Sequence, residues 1–192
     1  ARISGGPGGV RDLAGNPLAQ DYSWSFTTAA TAGPQPVITS PLPTDTFIVG
    51  DTFTYAGGAF DADGDPLPAS ALRWRILIHH CNHIDCHSHQ VIDQTGTTGG
   101  QITVPDHGDQ YYFEIQLTAT ADGQSNTAVV EIHPRTVNVT LQTIPAGLQI
   151  NLAGEQAVAP LTRPIVIGSV ITVAAPTPQG DYAFQSWSDG GA

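Results

Sequence analysis

Between Val37 and His133 the apolar residues recur at every second position, in short runs separated by polar, glycine or proline residues. The runs are Phe47 and Val49; Phe53 and Tyr55; Leu72, Trp74, Ile76 and Ile78; Tyr111, Phe113, Ile115 and Leu117; and Ala128, Val130 and Ile132. A period of two places one face of a strand in a core and the other in water. No segment repeats at the helical period. Roughly seven such strands, spaced by about 8–12 residues, predict an Ig-like β-sandwich over 37–134, with Trp74 in its core.

The flanking segments carry the same signal in weaker form. Residues 1–30 hold a Gly/Pro-rich start, a tight turn at Asp12, Gly15 and Asn16, and an alternating strand through Tyr22, Trp24 and Phe26. Residues 31–36 are small and proline-containing, as linkers are. From 135 to 192 the alternation resumes at Val137, Val139 and Leu141, passes through Leu148–Leu152, Ile165–Ile167 and Val170–Ala174, and closes at Tyr182–Trp187. The expected organisation is all-β, in tandem Ig-like modules: a closing fragment at 1–30, a sandwich at 37–134 and a small β-domain at 135–192. The first module is expected to begin partway through its fold, and the third to stop before its last strand. Trp24, Trp74 and Trp187 all fall at positions that read as core.

Composition narrows the class. The chain has 21 glycines and 15 prolines, no methionine, and a formal charge of -11. Its basic residues are all arginine. Such a surface repels phosphate backbones and anionic headgroups, which argues against nucleic-acid and membrane partners. No apolar run reaches the length of about 18 residues that a spanning helix requires. Cys81 and Cys86 leave no odd thiol, and their closeness suits a local disulfide in an oxidising, extracellular compartment.

The candidate chemistry is concentrated in the sequence HHCNHIDCHSH at 79–89, which holds five of the seven histidines. His80 shares the core face of the Trp74 strand, at its rim, and His79 lies on the wet face. His87 and His89, two apart in an extended segment, point to one side, so both can meet an ion whose shell His80 or His83 completes. His107, in the turn VPDHGDQ, is the long-range candidate for a further ligand. Neutral imidazole suits Zn or Cu. The spacing matches neither a zinc-finger nor a metalloprotease signature, and a solvated loop held by the cysteines is the competing reading. The order Cys81-x4-Cys86-His87 also supplies the two thioethers and proximal histidine of a c-type haem, but at a wider spacing than C-x-x-C-H.

Asp61, Asp63 and Asp65 alternate around Gly64, as hard oxygen ligands of Ca²⁺ do, although no glutamate completes an EF-hand loop. The same residues favour a tight turn for backbone reasons. No nucleophile elbow, phosphate loop or catalytic carboxylate pair emerges, so the chain by itself is not expected to be an enzyme.

Two resemblances extend this reading. GVRDLAGNPLAQDYSWSFTT resembles the closing segment of bacterial Ig-like domains of the SbsA type. From Pro36 onward, the DADGDPLP turn, the LRWRILIHH strand followed by HSH, the YYFEIQLTATADG strand and FQSWSDGGA resemble the non-catalytic C-terminal region of secreted bacterial sugar dehydrogenases of the glucose/sorbosone type that use pyrroloquinoline quinone. The Cys81–Cys86 loop departs from that pattern. The resemblance implies an accessory module, extracellular or at the cell surface, attached to a larger carbohydrate-active or envelope parent protein, an oxidoreductase being one such parent, whose quinone-binding propeller is not in these residues. Its partners would be other domains of that parent, a carbohydrate, or a surface or filament neighbour. A carbohydrate-binding module and a redox segment using copper or haem at 79–89 are the rival functions.

Overall fold

The computed structural model describes residues 1–25, 33–81, 86–108 and 111–190; of Cys81 and Cys86 it describes the backbone but not the side chains. Two compact units divide the chain, Ala1–Ala32 and Gly33–Ala192.

In the first unit, β1 (Arg2–Ile3) pairs antiparallel with β2 (Tyr22–Ser23). The segment between them is organised by carboxylates. Asp12 Oδ1 accepts the backbone N–H groups of Ala14 and Asn16, and Asp21 accepts that of Gly5 while pairing with Arg2. Short acidic side chains hold turns because they reach the backbone two to four residues on. The core expected around Trp24 is not found, since the residue is 43% exposed. Phe26 lies outside the described residues.

The second unit begins with β3 (Gln35–Ser40), β4 (Thr46–Phe47), β5 (Thr52–Phe60), β6 (Leu72–Cys81), β7 (Cys86–Thr95), β8 (Gly99–Thr103), β9 (Tyr111–Ala121) and β10 (Gln124–Pro134). A five-stranded sheet in the order β4-β10-β9-β6-β7 faces a three-stranded sheet in the order β3-β5-β8. The alternation seen in the sequence is the packing itself. In β9, Tyr111, Phe113, Ile115, Leu117 and Ala119 are buried and the residues between them are not. They meet Leu72, Trp74, Ile76 and Ile78 of β6, and Tyr55 and Ala59 of β5, in one core. Trp74 is wholly buried, packs on Tyr55 with ring centroids 5.0 Å apart, and donates its indole N–H to the Thr97 carbonyl at 3.1 Å. That donation meets the one polar demand the indole brings into the core.

The same unit continues through β11 (Thr136–Leu141), β12 (Gln149–Leu152), β13 (Glu155–Val158), β14 (Leu161–Val166) and β15 (Val173–Ala174), in a β11-β14 pair and a β13-β12-β15 sheet. This segment is joined to the sandwich. Val166 is buried in the sandwich core, Arg135 N–H donates to the Phe47 carbonyl at 2.8 Å, and Val49 N–H donates to the Ile167 carbonyl at 3.0 Å. The strand expected at Tyr182–Trp187 is absent: Tyr182 makes an isolated bridge to Gln179, the residues after it are irregular, and Trp187 is half-buried rather than core. Among the described residues, no helix is long and apolar enough to cross a membrane.

Candidate metal centre

The histidine cluster is built by two strands and a turn at one end of the five-stranded sheet. His80 closes the core face of β6, two residues beyond the buried Ile78, and stands opposite Tyr111 of β9. On its other side the expectation was a loop; the structure has instead a ten-residue edge strand, β7, running from Cys86 to Thr95. An edge strand owes its conformation to the backbone ladder of its neighbour, so it needs no apolar alternation of its own.

The face on which the β7 histidines lie is set by a bulge. Ile76 pairs with Ile92, but Leu77 pairs with Gln90, leaving Val91 as the extra residue. A bulge of one residue exchanges the two faces of the strand beyond it. Below Val91 it is therefore His89 and His87 that pair with Ile78 and His80 and share the core-side face.

His107 arrives from the turn before β9, which is fastened at several points. Val104 is buried, and the Tyr111 hydroxyl donates to the Pro105 carbonyl at 2.7 Å. Asp106 accepts the Gly108 N–H at 3.0 Å through one carboxylate oxygen and the Val170 N–H at 2.9 Å through the other. These two N–H groups, Val170's first, hold the Asp106 carboxyl below its ordinary range. Burial, reinforced by Asp106, pushes the Tyr111 phenol up to about 12, so it stays a neutral donor.

The result is a convergence of four rings. His80 lies 4.9 Å from His89, 4.6 Å from His107 and 4.0 Å from His87, centroid to centroid; His89 lies 5.4 Å from His107 and 5.0 Å from His87. One nitrogen from each of His80, His89 and His107 falls within 4.8 Å of the other two, a set that could hold a metal ion. His80 and His107 are half-buried and His89 is exposed. Desolvation first, then the neighbouring His89 and His87, lowers the His107 pKa, which favours the neutral imidazole that a metal requires.

Among the other expected ligands, His83 lies outside the described residues. Cys81 and Cys86 face one another in the β6–β7 register. Asp61, Asp63 and Asp65 do form a turn: Asp61 Oδ1 accepts the N–H groups of Asp63 and Asp65 at 3.0 and 2.9 Å. Among the described residues, the mutually close side-chain ligand group is His80, His89 and His107, and the three aspartates are not part of it.

His79, on the opposite face of β6, is occupied differently. Its Nε2 lies 3.0 Å from Glu114 Oε2, and its ring stacks on Tyr112 at 4.9 Å. Tyr111 and Asp106 are the two contributors that the sequence pattern did not single out as supports of the site. The Asp-x-Gly order at 106–108 was the available signal, since it is a turn in which aspartate caps the backbone.

Comparison with protein-family models, curated proteins and solved structures yields no match.

Proposed function

We propose that the chain is a non-catalytic accessory module of a larger extracellular or cell-surface protein, and that its sandwich carries a Zn or Cu ion on His80, His89 and His107. The observation that carries the metal reading is the spacing of the three rings. With metal–nitrogen bonds of about 2.0–2.1 Å, imidazole centroids stand roughly 3.2 Å from a shared ion, so two ligands at 90° or 109° are about 4.5 or 5.2 Å apart. The separations of 4.6, 4.9 and 5.4 Å follow that geometry. Nitrogen-only ligation favours Zn or Cu over Ca²⁺, which takes oxygen ligands.

The cysteines fit the same reading. Residues directly opposite in an antiparallel pair have Cα atoms about 4.5–5.5 Å apart, inside the span a disulfide bridges. A Cys81–Cys86 bond would tie the strand ends immediately beyond His80 and His87. This use of the cysteines needs no departure from known spacing, whereas c-type haem does.

Elemental analysis and calorimetry on the purified chain test the metal reading. One Zn²⁺ or Cu²⁺ per chain, lost in a His89→Ala, His107→Ala double variant, is the expected result; a wild-type chain that takes up neither ion abolishes it.

A second reading, carbohydrate binding, rests on an open cavity of about 510 Å³ lined by Tyr182, Phe184, Trp187, Gln149 and Gln179. Aromatic rings beside uncharged amides suit a neutral, hydroxyl-rich ligand. Glycan-array binding that disappears in Trp187→Ala would support it, and an empty array would remove it.

A further inference from the structure

Four imidazoles meet at the strand end, but their spacings are not equivalent. The three pairs among His80, His89 and His107 lie at 4.6–5.4 Å. His87 sits 4.0 Å from His80 with its ring tilted by 43°. On the geometry of metal–imidazole bonds, that separation closes the angle at a shared ion to below about 80°, tighter than tetrahedral or octahedral coordination provides. His87 is packed on the His80 ring, and is not a fourth spoke of the same set.

Among the described residues, no other side chain takes the fourth place. Asp106 is the carboxylate adjacent in sequence to His107, and both of its oxygens are engaged by backbone N–H groups of Gly108 and Val170. Glu114 pairs in register with Leu77, and so lies on the face of the sheet away from His80. Among the described residues, the three histidines are the whole of the close ligand group. Both His87 and His89 are exposed, so solvent reaches this side of the site. Four protein ligands mark closed, structural sites; three leave a position for a ligand from solution.

We infer that the centre is a three-histidine site with an open coordination position, which takes a small oxygen- or nitrogen-donor ligand such as water or a monovalent anion. His87 stands beside that position as a hydrogen-bonding neighbour of the bound donor, outside the ligand set. This inference rests on the metal reading above and adds to it the class of ligand the ion accepts.

The probe is azide, titrated into the Cu²⁺-loaded full chain and followed by its visible spectrum. The expected result is a saturable new charge-transfer band. His87→Ala and His87→Gln should keep one ion per chain, with Cu²⁺ affinity within about threefold of wild type, because neither removes a ligand. His87→Ala should weaken azide binding by about fivefold, the effect of one lost hydrogen bond, with His87→Gln restoring part of it. His89→Ala, by contrast, should lose the ion. A Cu²⁺ spectrum indifferent to azide overturns the open position. Loss of the ion from both His87 variants, to the same extent as from His89→Ala, makes His87 a ligand and the site a closed one. A wild-type chain without copper binding fails at the earlier step and overturns the metal reading itself.

Discussion

Ile78 and His89 stand directly opposite one another across β6 and β7, one buried in the sandwich core and the other exposed at its rim. Their pairing exists because Val91 is left out of the ladder two residues away. The core-side pattern of β7 therefore passes from even positions, Gln94 and Ile92, to odd ones, His89 and His87.

Position rather than the presence of histidine should therefore decide metal binding. Exchanging Ser88 and His89 (Ser88→His with His89→Ser) keeps the composition but puts the imidazole opposite His79, on the other face. Zn²⁺ titration of this variant should show affinity reduced by about 100-fold or more, as for removal of a ligand. Deletion of Val91 should act oppositely. It removes the unpaired residue while retaining the Leu77–Gln90 and Ile78–His89 pairs, so stoichiometric binding should persist. Loss of binding on deletion together with retention in the exchange would contradict the assigned register.

The same contrast explains which parts of the structure could be read in advance. β6 and β9 announce themselves because each buries one whole face, and Trp74, Ile76, Phe113 and Ile115 can occupy no other environment without exposing large apolar surfaces. The convergence of His107 with His80 was open to inference because a turn leading into β9 ends beside the end of β6. β7 was hidden. Its sequence CHSHQVIDQT has no apolar period, and neither its strand conformation nor its bulge is a property of the segment alone. Both follow from pairing with β6. The C-terminal region misled for the converse reason: Tyr182 and Phe184 have the spacing of a strand and Trp187 adds aromatic character, but the 182–188 backbone forms no ladder, and the rings line an open cavity.

Asp106 connects the site to the C-terminal part of its unit, since it accepts N–H groups from Gly108 and Val170 at once. Asp106→Ala leaves every imidazole in place but frees the turn that carries His107. Outer supports of this kind typically contribute 10–100-fold in metal affinity. Zn²⁺ affinity should fall by about tenfold with one ion still bound per chain, and limited proteolysis near Val170 should accelerate. Unchanged affinity would show that His107 is held by Tyr111 and Pro105 without help.

Protonation of the metal-free chain has a defined sign. Burial, then His89 and His87, lowers the folded-state pKa of His107 from its ordinary value of 6.5. The folded chain then binds fewer protons than the unfolded chain as pH drops below that value. Stability is full above pH 6.5, falls as pH decreases from there, and levels off once the lowered folded-state pKa has been passed. Urea unfolding of the apo-protein between pH 7.5 and about 5 should show this loss, and His107→Gln should flatten the curve. A variant with the wild-type slope would assign the pH dependence to other groups.

The two tryptophans Trp74 and Trp24 should respond to truncation in opposite ways. Trp74 is 0% exposed, packs on Tyr55 and donates to the Thr97 carbonyl, so Trp74→Ala loses a buried aromatic and leaves a cavity between the two sheets. Such substitutions cost about 3–5 kcal/mol, enough to lower the urea midpoint of the Gly33–Ala192 unit markedly or to prevent its folding. Trp74→Phe refills most of the volume, and should recover part of the loss while leaving the Thr97 carbonyl without its indole donor. Trp24 is 43% exposed and belongs to the Ala1–Ala32 unit. Trp24→Ala should move the main unfolding transition by less than about 0.5 kcal/mol. Equal losses from Trp74→Ala and Trp24→Ala would mean that the N-terminal unit contributes to the core that holds the histidines.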